Sequence, residues 1–197
     1  MKLRYLATVV FLALTTVAAH AQVGLYINPI ATYITNSTLA KDTTSYNLLG
    51  PGDSSRMFWG VNLGGYYDFF HATNGVGAGI DMRWDDLHAN NATLKDFLIG
   101  VRISAKPFTR PIKPYFMAEV GAGSTKSPGS QVTVKKVDYR FTGGVDYTLQ
   151  RHLDFRAIEV GYGTLKTISS ATVGAGGTIV IPASTMITVS SGFVVHF

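Results

Sequence analysis

The sequence predicts an all-β fold: eight antiparallel strands closed into one transmembrane β-barrel over residues 22–197. Three observations carry this. Apolar residues alternate with small or polar ones along almost the whole chain after residue 21, the period of a strand rather than a helix. The chain is 46% hydrophobic and only 15% charged, yet no apolar run after residue 21 approaches the ~18 residues of a membrane helix. The last residue is Phe197, which shares a strand face with Val195 and Phe193.

Composition removes several classes. Disordered chains are more polar and more charged than this one. With no Cys, disulfide scaffolds and thiolate zinc sites are excluded. The 21 Gly, with 11 Phe and 10 Tyr, suit strands that approach one another closely.

Residues 1–21 have the three parts of a secretory signal. Lys2 and Arg4 precede an apolar stretch from Tyr5 to Val17, and Ala19-His20-Ala21 supplies the small-x-small site. Cleavage is expected between Ala21 and Gln22. The apolar stretch is too short for a spanning anchor. Loss of Lys2 and Arg4 leaves 15 Lys plus Arg against 12 acids, a mature charge of about +3. No basic patch interleaved with aromatics remains, so nucleic acid is not an expected partner.

The strands follow in order. Val23 to Ile34 places Val23, Leu25, Ile27, Ala31 and Tyr33 on one face, although Tyr26, Ile30 and Ile34 blur the contrast. Met57 to Phe70 opposes Met57, Trp59, Val61, Leu63, Tyr67 and Phe69 to Gly60, Asn62, Gly64, Tyr66 and Asp68. Val76 to Asp85 opposes Ile80, Met82 and Trp84 to Asp81, Arg83 and Asp85. Lys95 to Lys106 opposes Phe97, Ile99, Val101 and Ile103 to Leu98, Gly100, Arg102, Ser104 and Lys106. Tyr115 to Ser124 opposes Phe116, Ala118, Val120 and Ala122 to Met117, Glu119, Gly121 and Gly123. Val137 to Thr148 opposes Tyr139, Phe141, Val145 and Tyr147 to Asp138, Arg140, Thr142 and Asp146. Leu153 to Gly163 slips phase, and a bulge near Ala157 restores it. Thr185 to Phe197 opposes Ile187, Val189, Phe193, Val195 and Phe197 to Thr188, Ser190, Gly192 and His196.

The gaps alternate. Residues 35–56, 86–94, 125–136 and 164–184 are long; residues 71–75, 107–114 and 149–152 are short. An even strand number with long loops at one end and short turns at the other is the plan of an outer-membrane barrel with both termini periplasmic. A soluble barrel of the same period would turn its charges outward. Here the polar face carries Gly60, Gly64, Gly77, Gly79, Gly100, Gly121, Gly123 and Gly144, which suits a narrow lumen. The apolar face has no charge in its central stretches, where one would cost ~2–4 kcal/mol in a bilayer. Its aromatics form two belts: Trp59, Trp84, Tyr139 and Tyr162 toward the long loops, and Tyr67, Phe69, Phe116, Tyr147, Phe155 and Phe197 toward the short turns.

With these features, and the ending Gly192-Phe193-Val194-Val195-His196-Phe197, the chain resembles the small OmpA-like outer-membrane β-barrel proteins of Gram-negative type. The resemblance implies that the barrel-assembly machinery reads the terminal strand, with Phe193, Val195 and Phe197 as the signal. It also implies a barrel without the periplasmic peptidoglycan-binding domain of the longer members.

The inward face carries Asp68, Asp81, Asp85, Glu119, Asp138, Asp146 and Glu159 together with Arg83, Arg102, Lys106, Arg140 and Arg156. Opposite charges nearly balance, and a lumen this narrow holds only side chains or one small ligand. The expected arrangement is a network near mid-barrel made by Asp81, Arg102, Glu119, Arg140, Arg156 and Glu159. Arg102 is expected beside Glu119, Glu119 near Arg140, and Arg140 near Glu159. The mature histidines, His71, His88, His152 and His196, show no serine partner, so no catalytic residue is assigned. Asp85-Asp86 with His88 reads as a solvated loop rather than a metal site, and Val173 to Gly177 lacks the Lys and helix of a phosphate loop. No cofactor and no metal is expected. The expected role is non-enzymatic: a structural or surface-interaction protein, porin-like only in architecture, acting through four long extracellular loops. A narrow channel or carrier for small molecules is the alternative, and a lipid-modifying enzyme the third. The expected partners are outer-membrane lipid and the assembly machinery, with the chain a monomer.

Overall fold

A computed structural model describes residues 22–37, 47–73, 75–105, 111–128, 133–167, 171–173, 177–179 and 183–197. The cleavage-site residues Ala19 and Ala21 and the inward assignment of Lys106 lie outside them.

The alternating pattern folds into β1 (Gln22–Thr35), β2 (Ser55–His71), β3 (Val76–Ala89), β4 (Ala92–Ala105), β5 (Ile112–Lys126), β6 (Thr133–Gln150), β7 (Leu153–Thr167), β8 (Ala171–Val173), β9 (Gly177–Ile179) and β10 (Ser184–His196). Eight of these close a barrel in the order β1-β10-β7-β6-β5-β4-β3-β2, and β8 with β9 forms a separate hairpin. Every neighbouring pair in the barrel is antiparallel. Closure removes sheet edges, which an apolar solvent cannot hydrogen-bond. Among the described residues no helix is long and apolar enough to cross a membrane.

The phase slip in β7 is a bulge at Ala157. Val145 faces Ile158 but Asp146 faces Arg156, which leaves Ala157 without a partner on β6. A second extra residue, Phe69, lies between the Asp68–Gly79 and Phe70–Ala78 pairs. It turns both Phe69 and Phe70 outward while Asp68 stays inside.

One expected loop is absent. Residues 86–94 are not a long connection. β3 and β4 continue until Ala89 pairs with Ala92, joined only through Asn90 and Asn91. Both asparagines have positive φ, 37° and 67°, as the tight hairpin turn that matches strand twist requires. The loop end of the barrel therefore carries long connections only over residues 36–54 and 168–183, with a shorter one over 127–132. Asp85, Asp86 and His88 belong to β3 and not to a loop.

The ambiguous face of β1 is settled by burial. Leu25, Ile27 and Tyr33 point outward, and Tyr26, Ile30 and Ile34 point into the lumen. The outer wall is a continuous apolar belt that includes Val61, Ile80, Ile99, Val101, Phe141 and Val160. Trp59, Tyr139 and Tyr162 are exposed toward the loop end, and Phe69, Phe116, Tyr147 and Phe197 toward the end that carries the termini.

Candidate functional site in the barrel lumen

The lumen is built in layers, and glycine positions decide which charges meet. At the terminus end, Asp154 holds His196 Nε2 at 2.6 Å and Lys113 Nζ at 2.8 Å, and the Tyr66 hydroxyl lies 3.0 Å from His196 Nδ1. The next layer contains Arg102, whose Nη1 is 2.9 Å from Asp68 and whose Nη2 is 3.6 Å from Asp146. Asp68, Gly79 and Arg102 occupy one cross-strand row. A Cβ on Gly79 would come within 2.5 Å of the Asp68 carboxylate, so the missing side chain is what lets the guanidinium reach across. The Arg102 guanidinium also stacks 3.8 Å from the Tyr66 ring centroid and 4.9 Å from that of Tyr115.

The middle layer centres on Arg83 and Glu159. Arg83 reaches Glu119 at 2.7 Å, Glu159 at 2.9 Å and Asp81 at 3.3 Å. Glu159 accepts from Arg83, from Arg156 Nη1 at 3.0 Å, from the Tyr115 hydroxyl at 2.6 Å and from Ser190 Oγ at 3.0 Å. Arg156 is held on its other side by Asp146 at 2.9 Å. The Tyr26 hydroxyl donates to Asp81 at 2.7 Å, so this blurred position of β1 serves the polar network.

Above it, Arg140 pairs with Asp85 at 2.6 Å and Asp138 at 2.7 Å, and Asp96 lies 3.6 Å away. Asp85 and Asp96 are direct cross-strand partners. Like charges so placed repel, and Arg140 reaching between them offsets this. Asn28 donates to Asn62, and Asn62 donates to Asp85.

The loop end of the lumen is apolar. Ile30, Ile34, Phe58, Leu87, Leu94, Leu165 and Met186 form one cluster with Leu48 and Leu49 of the β1–β2 connection. Leu48 and Leu49 are buried against these lumen side chains.

All six residues expected in the network, Asp81, Arg102, Glu119, Arg140, Arg156 and Glu159, are buried in the lumen. The expected partners differ. Arg102 does not pair with Glu119, which takes Arg83 and the Thr142 hydroxyl, the latter at 2.6 Å. Register explains it: Glu119 faces Gly100, and Arg102 faces Met117. Glu119 and Arg140 are cross-strand partners, yet the Arg140 guanidinium extends toward Asp85 and Asp138. Arg140 does not pair with Glu159, which Arg83 and Arg156 share. Arg83, the hub, is not among the six, although its alternation places it inward. Asp96, Lys136 and Asp154 also enter the lumen, and they share parity with Arg102, Asp138 and Arg156. The signs do not balance. Buried carboxylates at positions 68, 81, 85, 96, 119, 138, 146, 154 and 159 outnumber the buried cations Arg83, Arg102, Lys136, Arg140 and Arg156. Among the described residues no group of His, Asp and Glu is placed to hold a metal ion.

A charged, buried interior inside an apolar belt inverts the plan of a soluble protein, and a family comparison agrees with it. The model of the outer membrane protein β-barrel domain matches residues 5–190. The chain belongs to this outer-membrane β-barrel family. Among solved structures, this outer-membrane barrel is similar to neisserial surface protein A, with 16% identity, a TM-score of 0.53, and 91% of this chain and 98% of that one covered. It is also similar to Ail, the attachment invasion locus protein of Yersinia pestis, with 12% identity, a TM-score of 0.54, and 91% and 100% coverage. At these identities the likeness is one of fold. No curated protein sequence matches the chain.

Proposed function

We propose that this protein is a non-enzymatic outer-membrane barrel with a sealed lumen, acting at the cell surface through the connections at its loop end. The observation that carries the reading is the filled interior. Arg83, Arg140 and Arg156 are among the largest fully buried side chains, each tied to carboxylates on other strands. The apolar cluster around Leu49 lies across the path beyond them. A scaffold that conducts nothing leaves its connections as the variable surface, and loops on a rigid frame are where binding specificity resides. Those connections are residues 36–54, 127–132 and 168–183, the last carrying the β8–β9 hairpin.

In this reading both termini are periplasmic and the loop end faces outward. Residues 1–21 are a signal peptide removed before Gln22. Phe193, Val195 and Phe197, all exposed on one face of β10 and its end, are the signal for the assembly machinery. Against catalysis stands the setting of His196: buried at the terminus end and held by Asp154 and Tyr66, with no serine among these partners.

Single-channel recording of the refolded protein in planar bilayers tests this. The expected trace is baseline leak. A steady open conductance would refute the sealed lumen. It would favour a narrow cation-selective path, the second reading, which the excess of lumen carboxylates supports.

A further inference from the structure

Beneath its apolar cluster the lumen carries more acid than base. Asp85 and Asp96 are cross-strand partners, and Leu87 and Leu94, the next inward rung of the same two strands, belong to the cluster. Asp138 is the cross-strand partner of Leu165, another member. Three buried carboxylates thus lie along the lower edge of the cluster. Two buried cations serve them: Arg140, 2.6 Å from Asp85 and 2.7 Å from Asp138, and Lys136, one same-face step from Asp138 toward the loop end. Asp96 lies 3.6 Å from Arg140, and among the described residues neither of its carboxylate oxygens has a hydrogen-bond partner, although the residue is 1% exposed. Asp138 Oδ1 is also without one, and so is the hydroxyl of Thr32, which lies between Ile30 and Ile34 on the inward face of β1. Buried acceptors left without donors are costly, and this layer is short of one positive charge.

The space above this layer is filled from a connection. Among the described residues every member of the cluster sits on a barrel strand except Leu48 and Leu49. Their turn is braced from within. The Leu49 amide donates to Asn47 Oδ1 at 2.9 Å, the Gly50 amide to the Asn47 carbonyl at 3.1 Å, the Asp53 amide to the Gly50 carbonyl at 3.1 Å, and Asn47 Nδ2 to the Asp53 carbonyl at 3.3 Å. Gly50, at φ 110°, takes a corner that other residues rarely adopt. A turn with its own frame withdraws its two leucines together. The strands then enclose an apolar chamber with an acidic floor. Two leucine side chains hold about eight carbons, and a guest of equal volume replaces them with least strain. Among the described residues no group of His, Asp and Glu is placed to hold a metal ion. A primary ammonium suits the floor better, because one compact charge presents three donors to carboxylates spread around it. An anionic head would meet three carboxylates, and a neutral head would leave Asp96 uncompensated.

We propose that the loop-end half of the lumen binds a primary alkylammonium ion. Its head donates to Asp96 and Asp138, and its tail takes the place of Leu48 and Leu49 among Ile34, Leu87, Leu94 and Leu165. The ion pairs of Arg83 and Arg156 lie beneath, so the site is a pocket with a floor and not a passage. Charge-assisted hydrogen bonds in a buried setting are the strong ones, so the head supplies selectivity and the tail supplies affinity.

The test is isothermal titration calorimetry of the full mature chain refolded into phosphatidylcholine nanodiscs, with empty nanodiscs subtracted. The probes are octylamine, octanol, octanoate and ethylamine. The wild type should bind octylamine at least about tenfold more tightly than the other three, a difference of about 1.4 kcal/mol or more. Asp96→Asn keeps the shape of the floor and removes its uncompensated charge, so it should weaken octylamine by at least about tenfold. It takes one acid from an acid-rich layer and does not threaten the fold. Replacing Leu48 and Leu49 together by Ala leaves the floor intact and removes the side chains that the guest displaces, so octylamine should bind that variant more tightly than the wild type. Equal binding of octylamine and octanol by the wild type would overturn the proposal, as would unchanged octylamine affinity in Asp96→Asn. Weaker binding by the double Ala variant, or no octylamine binding by either it or the wild type, would overturn it as well.

Discussion

Replacing Arg83 by Met keeps an unbranched, flexible stem and removes the hub of the lumen network. In the wild type the guanidinium lies 2.7 Å from Glu119, 2.9 Å from Glu159 and 3.3 Å from Asp81. Glu159 keeps Arg156, Tyr115 and Ser190 after the change. Glu119 keeps the Thr142 hydroxyl, and Asp81 keeps the Tyr26 hydroxyl. Two buried carboxylates thus lose their ion-pair partner in a lumen already rich in acids. Breaking one dry pair costs ~3–5 kcal/mol, and the surviving hydroxyl donors hold the expected loss for the variant within that range rather than at twice it. The control is Lys95→Gln, which breaks a pair of similar length, 3.2 Å to Asp86, with the lysine side chain 48% exposed. Exposed pairs contribute about 0–1 kcal/mol. Reversible urea unfolding of both variants in lipid vesicles, followed by tryptophan fluorescence, measures the difference from one linear extrapolation. A loss below about 1 kcal/mol for Arg83→Met, or equal losses for the two variants, would mean that the lumen is wet and screened, and the argument for a dry plug would fail.

The tight connection between β3 and β4 makes a second prediction. Asn91→Val forces a β-branched residue to φ 67° and should cost ~1–2 kcal/mol in the same assay, whereas Asn91→Gly should be neutral or stabilising. Deleting Phe197 removes a residue whose amide bonds to the Val23 carbonyl at 3.0 Å. It should lower the amount of heat-modifiable barrel in the outer membrane far more than the yield refolded in detergent, with equal losses in both arguing against an assembly signal. Intact mass of the membrane-purified protein should correspond to a chain that begins at Gln22, and retention of Met1 would restore the anchor reading.

Alternation together with the make-up of the two strand faces settled the architecture of this protein. A period of two repeated over eight segments, glycine-rich on one face and free of charge on the other, has one stable solution in a bilayer, because every backbone group must pair and no edge can be left open. The phase slip at Ala157 was legible for the same reason, since one extra residue visibly inverts the pattern. Three things were decided only by the closed structure. Parity says which charges enter the lumen but not how high each one reaches. Strand stagger and the gap at Gly79 sent Arg102 to Asp68, not Glu119, and made Arg83 the hub. The tight turn at Asn90 and Asn91 was hidden because Asp85, Asp86 and His88 look like a polar loop, although β3 and β4 extend beyond the apolar belt, where either side of a strand tolerates charge. Tyr26, Ile30 and Ile34 looked like noise in β1, since local pattern cannot distinguish an apolar residue facing lipid from one facing an apolar lumen. That distinction exists only once Leu49 packs among Ile30, Ile34 and Phe58 at the loop end, a contact between segments whose meeting depends on the whole barrel.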